Sequence, residues 1–400
     1  RARAGGAGVT TAHIVIVGAG QGGLQAAVSL RQEGHSGQIT LIGAEQHLPY
    51  QRPPLSKDYL KTGEADALRL RPQSFFDDQN ITLLLGCKVT QIDRAAQRVV
   101  HENGSLGYDH LILATGTRNL RPPIPGLERA LDLRTLDDAE TLRKAMTGAQ
   151  SVAIIGGGFI GLEFAAVARG LGLEVTVAEA APRLMARVVS RAMSERFLAM
   201  HRDMGTTVLL GAPVTEVTDT GIALANGETV SADLLVLAAG VRPNSELAAE
   251  AGLETENGVR TDAQLLTSDP MISALGDCAA FPDPATGLLV RLESVQAATD
   301  HARLIARRLA KKTPDSYAAV PWFWSNQGDS KLQIAGFAIP EHDEVTREDG
   351  AVLRFAGEVL SAVETVNDPR THMMARKLLA SGAPPTRDKL KSQGYQVSST

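Results

Sequence analysis

The chain has 400 residues, 44% of them hydrophobic and 21% charged, which is typical of a globular protein with two or three domains. The formal net charge of −5 gives no overall basic field, so we expect no nucleic-acid partner. The two cysteines lie far apart in sequence, which excludes a disulfide framework and favours a reducing, cytoplasmic location.

Membrane spans, metal sites and secretion signals find no support in the sequence. No apolar run approaches the ~18 residues of a membrane-spanning helix. The nine histidines are scattered, without a pair at ligand spacing, so we expect no protein-held metal. Residues 1–12 are rich in glycine, alanine and arginine and lack the apolar block of a secretion signal, so we expect an irregular tail there.

The first predicted elements are a strand, a helix and a second strand. Ile14–Val17 is a run of branched apolar residues that ends at the glycine pattern GAGQGG of residues 18–23. Apolar residues at helical spacing follow, and Ile39–Ile42 is a second apolar run. This order indicates a βαβ unit of the Rossmann type, built on a buried parallel sheet.

The next predicted elements are a loop and several strands. Residues 49–57 contain three prolines, which forbid a regular helix or a central strand, so we expect a shaped loop. Residues 81–100 alternate like antiparallel strands, and residues 111–116 form another buried strand that ends at small residues. Prolines between residues 122 and 125 indicate a hinge between domains.

The first pattern then recurs. Residues 152–155 are a second apolar run, GGGFIG follows at residues 156–161, and residues 175–178 form the next strand. Residues 207–240 repeat the strand pattern of the first half and end in LVLAAG, the counterpart of residues 111–116. The repeat therefore extends from the glycines to the organisation of a whole domain.

The last part of the chain changes pattern. Residues 271–277 are a strand ending in Gly-Asp, and a helix is expected over residues 294–309. After Pro321 we expect short strands at 332–336, 352–355 and 361–366, a helix at 372–379 and an irregular tail from residue 381. We predict one discontinuous domain over residues 1–120 and 244–321, a second over 121–243, and a small α+β domain over 322–400.

The two glycine patterns predict nucleotide binding. In each, the first glycine permits a tight turn, the second lets a pyrophosphate approach the main chain, and the third allows the helix to pack closely on the strand. The helix N-terminus then offers N–H donors to the phosphates. A glycine turn without a nucleotide is the alternative for a single motif. Two motifs in order favour a protein that holds two dinucleotides and moves electrons between them.

Carboxylates are expected next to both nucleotides. Glu179 ends the second strand of the second unit, where a carboxylate accepts from ribose hydroxyls and repels a 2′-phosphate, so we expect NADH to be preferred over NADPH. Arg183 is near enough in sequence to reach adenine or phosphate. Glu45 is the corresponding carboxylate of the first unit, although it stands one residue later in the sequence than the pattern requires. Asp277 is expected to bind a ribityl hydroxyl or the pyrophosphate of FAD; capping the next turn is the alternative.

Charged and aromatic residues suggest the reacting centre. Lys57 and Glu163 are candidates for a buried ion pair at a flavin, with solvated surface positions as the alternative. The helix that begins near Ser294 can direct its N-terminal N–H groups at a flavin carbonyl. Trp322 and Trp324 are the only tryptophans; they form either an aromatic wall beside a flavin or ordinary core.

A basic helix face suggests a protein partner. Arg303 and Arg307 are four residues apart on the predicted helix and so share one face. We expect this face, with Arg71 contributing, to dock an acidic protein. A solvated helix face is the alternative.

Together these residues resemble the FAD-dependent NADH:ferredoxin reductases of bacterial oxygenase systems, of the putidaredoxin reductase and biphenyl dioxygenase reductase type. The resemblance covers nearly all of the chain. The segments that carry it are RPPLSK at 52–57, ATG at 114–116, LRTL at 133–136, GGGFIGLE at 156–163, GDC at 276–278, ESV at 293–295 and PWFW at 321–324.

The resemblance implies an α/β fold of the glutathione-reductase class, with two Rossmann-like nucleotide-binding domains and a small C-terminal α+β domain. In one departure, Ala44 stands where the family often has Asp, so adenosine ribose binding must shift to Glu45 or to main chain and water. With the motifs, it implies FAD contacts from Gly18, Gly20, Gly22, Gly23, Glu45, Arg52, Lys57, Val89, Ala114, Thr115, Gly116, Arg134, Gly276, Asp277, Glu293, Ser294 and Val295. It implies NADH contacts from Gly156, Gly158, Phe159, Ile160, Gly161, Glu163, Glu179 and Gly240. Trp322 and Trp324 are expected at the flavin, and Lys57, Glu163 and Trp324 are the predicted catalytic residues.

The predicted function is electron transfer from NADH through FAD to a [2Fe–2S] ferredoxin, which serves a haem monooxygenase or a ring-hydroxylating dioxygenase. Three alternatives stay open. A disulfide or peroxide reductase needs a redox cysteine near the flavin, and neither Cys87 nor Cys278 lies in such a motif. An NADH oxidase gives its electrons to oxygen directly. A flavoprotein that senses NADH keeps its reduced flavin and changes partners.

Overall fold

The computed structural model describes residues 11–284, 286–311, 313 and 315–397. Most of the tail expected over residues 1–12 therefore lies outside the described residues. In the part that is described, no helix combines the length and the apolar character that crossing a bilayer requires.

The strands and helices are numbered here in chain order. The strands are β1 (Ile14–Val17), β2 (Ile39–Ile42), β3 (Ile81–Leu84), β4 (Val89–Asp93), β5 (Arg98–His101), β6 (Gly104–Gly107), β7 (His110–Leu113), β8 (Thr117–Asn119), β9 (Ser151–Ile155), β10 (Glu174–Glu179), β11 (Thr207–Leu210), β12 (Val214–Thr218), β13 (Gly221–Leu224), β14 (Thr229–Ser231), β15 (Leu234–Leu237), β16 (Val241–Pro243), β17 (Val259–Arg260), β18 (Ile272–Ala274), β19 (Ala279–Pro282), β20 (Leu289–Val290), β21 (Trp322–Gln327), β22 (Ser330–Gly336), β23 (Asp343–Thr346), β24 (Val352–Ala356) and β25 (Val359–Val366). The helices are α1 (Gln21–Gln32), α2 (Asp58–Thr62), α3 (Gln73–Asp78), α4 (Leu136–Met146), α5 (Phe159–Gly170), α6 (Arg191–Asp203), α7 (Glu246–Glu250), α8 (Val295–Lys311), α9 (Pro369–Leu379) and α10 (Arg387–Ser392).

The chain forms two compact units, which we call unit 1 and unit 2. Unit 1 comprises Arg1–Gln51, Asp66–Arg118 and Arg242–Ala319. Unit 2 comprises Arg52–Ala65, Asn119–Val241 and Val320–Thr400.

Unit 1 is built on a parallel sheet with the strand order β18-β7-β1-β2-β3. All four residues of β1 are buried, because a parallel sheet covered on both faces leaves no polar side to its central strands. Helices α1 and α8 pack against each other on this sheet. The antiparallel strands expected over residues 81–100 are confirmed for β4 and β5. The expectation is wrong for β3, which pairs in parallel with β2; its Thr82 is exposed because β3 is the edge strand of this sheet.

Unit 2 contains a second parallel sheet with the strand order β11-β10-β9-β15. This order matches β3-β2-β1-β7 of unit 1 strand for strand, so the internal repeat read from the glycine motifs is confirmed as a repeat of topology. In both sheets the helix that follows the first strand begins within the glycine pattern.

The C-terminal part of unit 2 is an antiparallel sheet with the order β21-β22-β25-β24-β23, against which α9 packs. Buried residues of this sheet share one apolar cluster with the second Rossmann-like part, including Leu162, Phe197, Leu332 and Val352. The irregular tail expected from residue 381 is wrong, because α10 forms there. Its sequence is almost wholly polar, and Leu390 alone anchors it in the core.

A buried ion pair within the C-terminal sheet also contacts the start of α6. The Arg354 guanidinium donates to Oε1 of Glu364 at 3.0 Å, and both side chains are 1% exposed. Oε2 of Glu364 accepts from the Ser190 hydroxyl at 2.5 Å, at the N-cap of α6. Burial raises the pKa of Glu364, although Ser190 and Arg354 oppose this shift. The pair therefore ties the C-terminal sheet to the segment that follows Glu179.

Candidate functional site

The glycine pattern of unit 1, residues 18–23, contains the turn between β1 and α1, and we call it the first glycine corner. Of its first, second and third motif glycines, only the second leaves room for a ligand. Gly18 has φ +114°, and a Cβ there would lie 2.1 Å from the Ala114 carbonyl oxygen. A Cβ on Gly23 would lie 1.8 Å from the Gly18 carbonyl oxygen. Around Gly20, in contrast, no heavy atom of any described residue beyond its chain neighbours lies within 4 Å of the Cβ position. The first and third glycines thus satisfy the packing of the protein itself, and the second leaves the main chain open to a pyrophosphate.

The corner of unit 2 repeats this geometry. Gly156 has φ +113°, and its Cβ would lie 2.3 Å from the Ala238 carbonyl oxygen. A Cβ on Gly161 would lie 2.3 Å from the Gly156 carbonyl oxygen, whereas the surroundings of Gly158 are open. The turn and packing roles predicted for the first and third glycines are confirmed in both corners. Both corners fit a dinucleotide, because each offers an open main chain at a helix N-terminus.

Glu179 lies beside the second glycine corner and is hydrogen-bonded to it. It is the last residue of β10, and its Oε2 accepts from the Gly157 N–H at 2.6 Å. Its Oε1 accepts from the Ala181 N–H at 2.7 Å. Two backbone donors therefore fix the carboxylate next to the glycines, at the place where the Rossmann pattern requires an acceptor for ribose hydroxyls.

The structure corrects the expectation that Arg183 reaches the nucleotide. Its guanidinium donates to the carbonyl oxygens of Ala186 at 2.6 Å and Val189 at 2.8 Å. It also donates to the Ser194 hydroxyl at 2.7 Å. Burial is the main cause that lowers the pKa of Arg183. Arg183 thus holds the loop after β10 in shape.

The cation that the sequence analysis missed is Arg187. Its side chain is exposed, and Nη2 lies 3.3 Å from the Cβ position of Gly240, whose φ is +102°. Gly240 follows β15 and was itself expected to contact NADH. The only signal in the sequence was a second arginine in the same loop, four residues after the first.

Lys57 and Glu163 form the ion pair that their sequence context suggested. The Lys57 Nζ donates to Oε2 of Glu163 at 2.6 Å, and the two side chains are 15% and 6% exposed. The Ser56 hydroxyl also donates to Oε2, at 2.6 Å. Oε1 accepts from the Ser325 hydroxyl at 2.8 Å and from the Asn326 N–H at 3.3 Å. The solvated-surface alternative is therefore wrong for both charges.

Four donors saturate the Glu163 carboxylate, which makes its position rigid. The Lys57 ammonium is fixed in turn, since Nζ also donates to the Pro53 carbonyl oxygen at 2.9 Å. A cavity of about 310 Å³ opens beside the pair, lined in part by Lys61 and Lys331. A buried, oriented ammonium next to a cavity is an arrangement that stabilises negative charge on a bound group.

The two tryptophans form a stack. They lie two residues apart on β21 and so share one face of the strand. Their ring centroids are 5.5 Å apart with an interplanar angle of 29°. The Arg376 guanidinium lies 4.5 Å from the Trp322 ring centroid, and the buried His372 meets the same ring edge-on. Phe159, at the start of α5, contacts the intervening Phe323 with centroids 4.7 Å apart.

In unit 1 the Gly-Asp turn follows β18 directly. Gly276 has φ +67°, and Asp277 accepts from the Thr117 hydroxyl at 3.3 Å. The Arg291 guanidinium donates to the Asp277 carbonyl oxygen at 3.0 Å and pairs with Glu293 at 2.7 Å. These contacts join the Gly-Asp and ESV segments, which lie on either side of β19 and β20.

The remaining residues predicted to bind FAD have these positions. Glu45 accepts from the Tyr50 hydroxyl at 2.5 Å. Ser294 accepts from the Ala297 N–H at 3.0 Å and so caps α8, which begins at Val295, one residue after the predicted start. In unit 2, Arg52 donates to the Arg134 carbonyl oxygen at 2.8 Å. Gly22 lies beside Leu275, and Thr115 and Gly116 are hydrogen-bonded to Asn244. Val89 is the first residue of β4. Ile160, which was predicted to contact NADH, lies in the first turn of α5.

The residues of the expected basic face are partly neutralised. Arg303 lies 3.6 Å from Asp300, and Arg307 lies 3.6 Å from Asp315. They remain 55% and 40% exposed. Arg71 is also exposed, with its guanidinium 5.3 Å from the ring centroid of Phe75.

Two open glycine corners on parallel sheets define an oxidoreductase that binds two dinucleotides. Residues 12–302 match the family model described as pyridine nucleotide-disulphide oxidoreductase, and residues 322–399 match the one described as reductase C-terminal. Rhodocoxin reductase of Rhodococcus erythropolis is 48% identical over 96% of this chain and 93% of the relative.

Solved structures give the same result. The ferredoxin reductase for the CYP199A2 system from Rhodopseudomonas palustris is 44% identical, with a TM-score of 0.92 over 96% of this chain and 98% of that chain. The reductase in the covalent putidaredoxin reductase–putidaredoxin complex is 35% identical, with a TM-score of 0.91 over 96% of this chain and 97% of that chain. The chain belongs to the pyridine nucleotide-disulphide oxidoreductase family, among its FAD-dependent ferredoxin reductases.

Proposed function

We propose that the chain transfers electrons from NADH through FAD to a [2Fe–2S] ferredoxin that serves a haem monooxygenase or a ring-hydroxylating dioxygenase. The observation that carries this proposal is the pair of open glycine corners, each on its own Rossmann-like sheet, in a chain 48% identical to a rhodocoxin reductase. When bound, FAD supplies the chemistry that joins a two-electron donor to one-electron acceptors.

The residue and domain assignments made from the sequence are part of this proposal. FAD is assigned to residues 1–120 and 244–321, and NADH to residues 121–243. Lys57 supplies a fixed positive charge, and Glu163 holds that charge in place by the contacts described above. The stacked tryptophans add rigid aromatic surface to the C-terminal part.

NADH is the proposed donor because Glu179 places a carboxylate at the second corner. A carboxylate accepts hydrogen bonds from ribose hydroxyls and repels a 2′-phosphate. Arg187 is the nearby cation, and we assign it to the phosphates or the adenine of NADH.

The acceptor is proposed to dock through Arg71, Arg303 and Arg307. All three belong to unit 1; Arg71 and Arg303 are exposed and Arg307 is partly exposed, and positive side chains of this kind attract an acidic partner. A reducing, cytoplasmic setting fits both cysteines, which are free thiols.

A disulfide reductase is the main competing function within the family. Its nucleophile must be a thiolate, yet burial raises the pKa of both thiols, Cys87 and Cys278. The Cys87 thiol lies 3.1 Å from Nδ1 of His101, just before β4. The raised pKa of both thiols favours a one-electron acceptor over a disulfide.

The experiment compares acceptors. The purified flavoprotein is supplied with NADH and with oxygen, a disulfide or a [2Fe–2S] ferredoxin, and turnover is measured from NADH absorbance. We expect ferredoxin to be reduced much faster than oxygen or disulfide. Faster turnover on oxygen would identify an NADH oxidase, and reduced flavin that persists in air with ferredoxin present would identify a sensor.

A further inference from the structure

His301 is a fully buried residue within α8 whose imidazole has one fixed orientation. The rings of Phe281 and Tyr317 meet it edge-on, with centroids 4.9 and 4.4 Å from its own. Nδ1 of His301 accepts a hydrogen bond from the Gly276 N–H at 3.2 Å. The two aromatic rings therefore hold the imidazole so that its Nδ1 faces the Gly276 N–H.

The chemistry of this contact requires a neutral imidazole. Burial lowers the pKa of His301 to about 3, so the ring is uncharged at neutral pH, and its proton lies on Nε2 because Nδ1 accepts. Gly276 begins a 3₁₀ helix, Gly276–Cys278, so its N–H has no partner within that helix. Since Gly276 is buried, His301 satisfies a donor that water does not reach.

The turn that His301 holds lies beside the first glycine corner. Leu275, just before Gly276, donates its N–H to the Leu113 carbonyl oxygen at 3.0 Å and so stays in register with the parallel sheet. Its Cδ1 lies 2.4 Å from where a Cβ on Gly22 would be, so side chain and corner are in direct contact. Asp277 is the second residue of this turn.

We propose that His301 is a positioning residue for FAD: its Nδ1 fixes the Gly276–Asp277 turn so that the carboxylate and the backbone of this turn meet the cofactor at the first corner. The inference rests on the proposed function, because it takes this corner to be the FAD site. His301 itself touches no reacting atom and acts through Gly276.

The test uses a matched pair of variants, His301→Asn and His301→Leu. The Asn side chain places Oδ1 where Nδ1 of the imidazole stood, whereas Leu has a similar size and no acceptor. Both variants lose the outer part of the ring, so the cavity that they create is similar. FAD release from the holoenzyme is measured after dilution, from the rise in fluorescence of the free flavin.

We expect His301→Leu to release FAD about tenfold faster than the wild type and His301→Asn about two- to threefold faster. We expect the opposite order in thermal unfolding, with a lower Tm for His301→Asn than for His301→Leu, because burying an amide costs more free energy than burying an apolar side chain of the same size. Opposite rankings would separate positioning from a general loss of stability. The visible flavin spectrum should change in His301→Leu and be restored in His301→Asn.

Tyr317→Phe is the control. It keeps the ring that packs on His301 and removes a buried hydroxyl that has no hydrogen-bond partner among the described residues, so FAD release should match the wild type. Release from His301→Leu at the wild-type rate, or equally fast release from both His301 variants, would overturn the inference. A wild type that holds FAD tightly but does not reduce ferredoxin would refute only the proposed acceptor; a wild type that binds no FAD would refute both.

Discussion

Glu179→Gln removes one negative charge at the second glycine corner and keeps an acceptor for a backbone donor. In the wild type the carboxylate oxygens lie 2.6 and 2.7 Å from the N atoms of Gly157 and Ala181, so the charge occupies a fixed position. A 2′-phosphate on the adenosine ribose would meet this charge, whereas the ribose hydroxyls of NADH would donate to it. We therefore expect the substitution to favour NADPH relative to NADH.

The size of the effect follows from the distance between the like charges. Two unit charges ~5 Å apart repel by about 1–3 kcal/mol for effective dielectric constants between ~80 and ~20. Glu179 is half-buried, so salt and water screen part of this repulsion and favour the lower half of the range. About 1–2 kcal/mol corresponds to a change of roughly 5- to 30-fold in the NADH-to-NADPH preference.

The assay is the ratio of kcat/KM for NADH to that for NADPH, with ferricyanide as acceptor so that ferredoxin docking plays no part. Glu174→Gln is the matched control, because Glu174 is an exposed glutamate at the other end of the same strand. We expect the control to keep the wild-type ratio. An unchanged ratio in Glu179→Gln, or the same shift in both variants, would refute the reasoning.

Three further predictions concern the two arginines of the loop after β10, the buried His372 and the proposed docking residue Arg303. Arg187→Ala should raise the KM for NADH several-fold without lowering the Tm, whereas Arg183→Ala should lower the Tm, because only Arg183 is bonded to its own loop; the reverse pattern would exchange their roles. Burial lowers the pKa of His372 to about 4, so its contribution to stability is complete above pH 6.5 and is lost as the pH falls toward 4. When the free energy of unfolding is measured from pH 7 to 4.5, its decrease should be smaller in His372→Phe than in the wild type, by up to about 1.4 kcal/mol per pH unit. Equal slopes in the two proteins would contradict the assignment. Arg303→Glu should raise the KM for ferredoxin, most strongly at low salt, while NADH-to-ferricyanide activity survives; equal losses in both assays would indicate structural damage instead.

The parallel sheets could be predicted because their determinants are local in sequence. Ile14–Val17 and residues 152–155 are short branched apolar runs that end at glycines, and no antiparallel or helical arrangement suits that combination. Gly18 and Gly156 have the positive φ angles that this order requires. The repeat between the two halves then predicted the shared strand order.

Other parts of the fold depend on contacts that a sequence pattern does not contain. Strand β3 lies at a sheet edge and leaves Thr82 exposed, so its sequence resembles a half-buried antiparallel strand although it pairs in parallel. Helix α10 has only Leu390 as a fully buried anchor, which is too little periodicity to indicate a helix.

The candidate site shows the same division. The pair Lys57 and Glu163 was identified from its motifs, but Ser325 and Asn326, which complete the shell of Glu163, come from a distant strand. Arg183 and Arg187 have equivalent contexts in sequence, and only the fold of their loop decides which one is exposed. His301 is one histidine among nine, and its role depends on a contact with Gly276 that local sequence does not encode.

The central claim is that electrons pass from NADH through bound FAD to a one-electron acceptor. The direct measurement mixes the purified protein with NADH under anaerobic conditions, follows the flavin absorbance, and then adds oxidised [2Fe–2S] ferredoxin. We expect rapid loss of the flavin absorbance, followed by its return as two equivalents of ferredoxin are reduced for each NADH consumed. A flavin absorbance that does not change on adding NADH would contradict it.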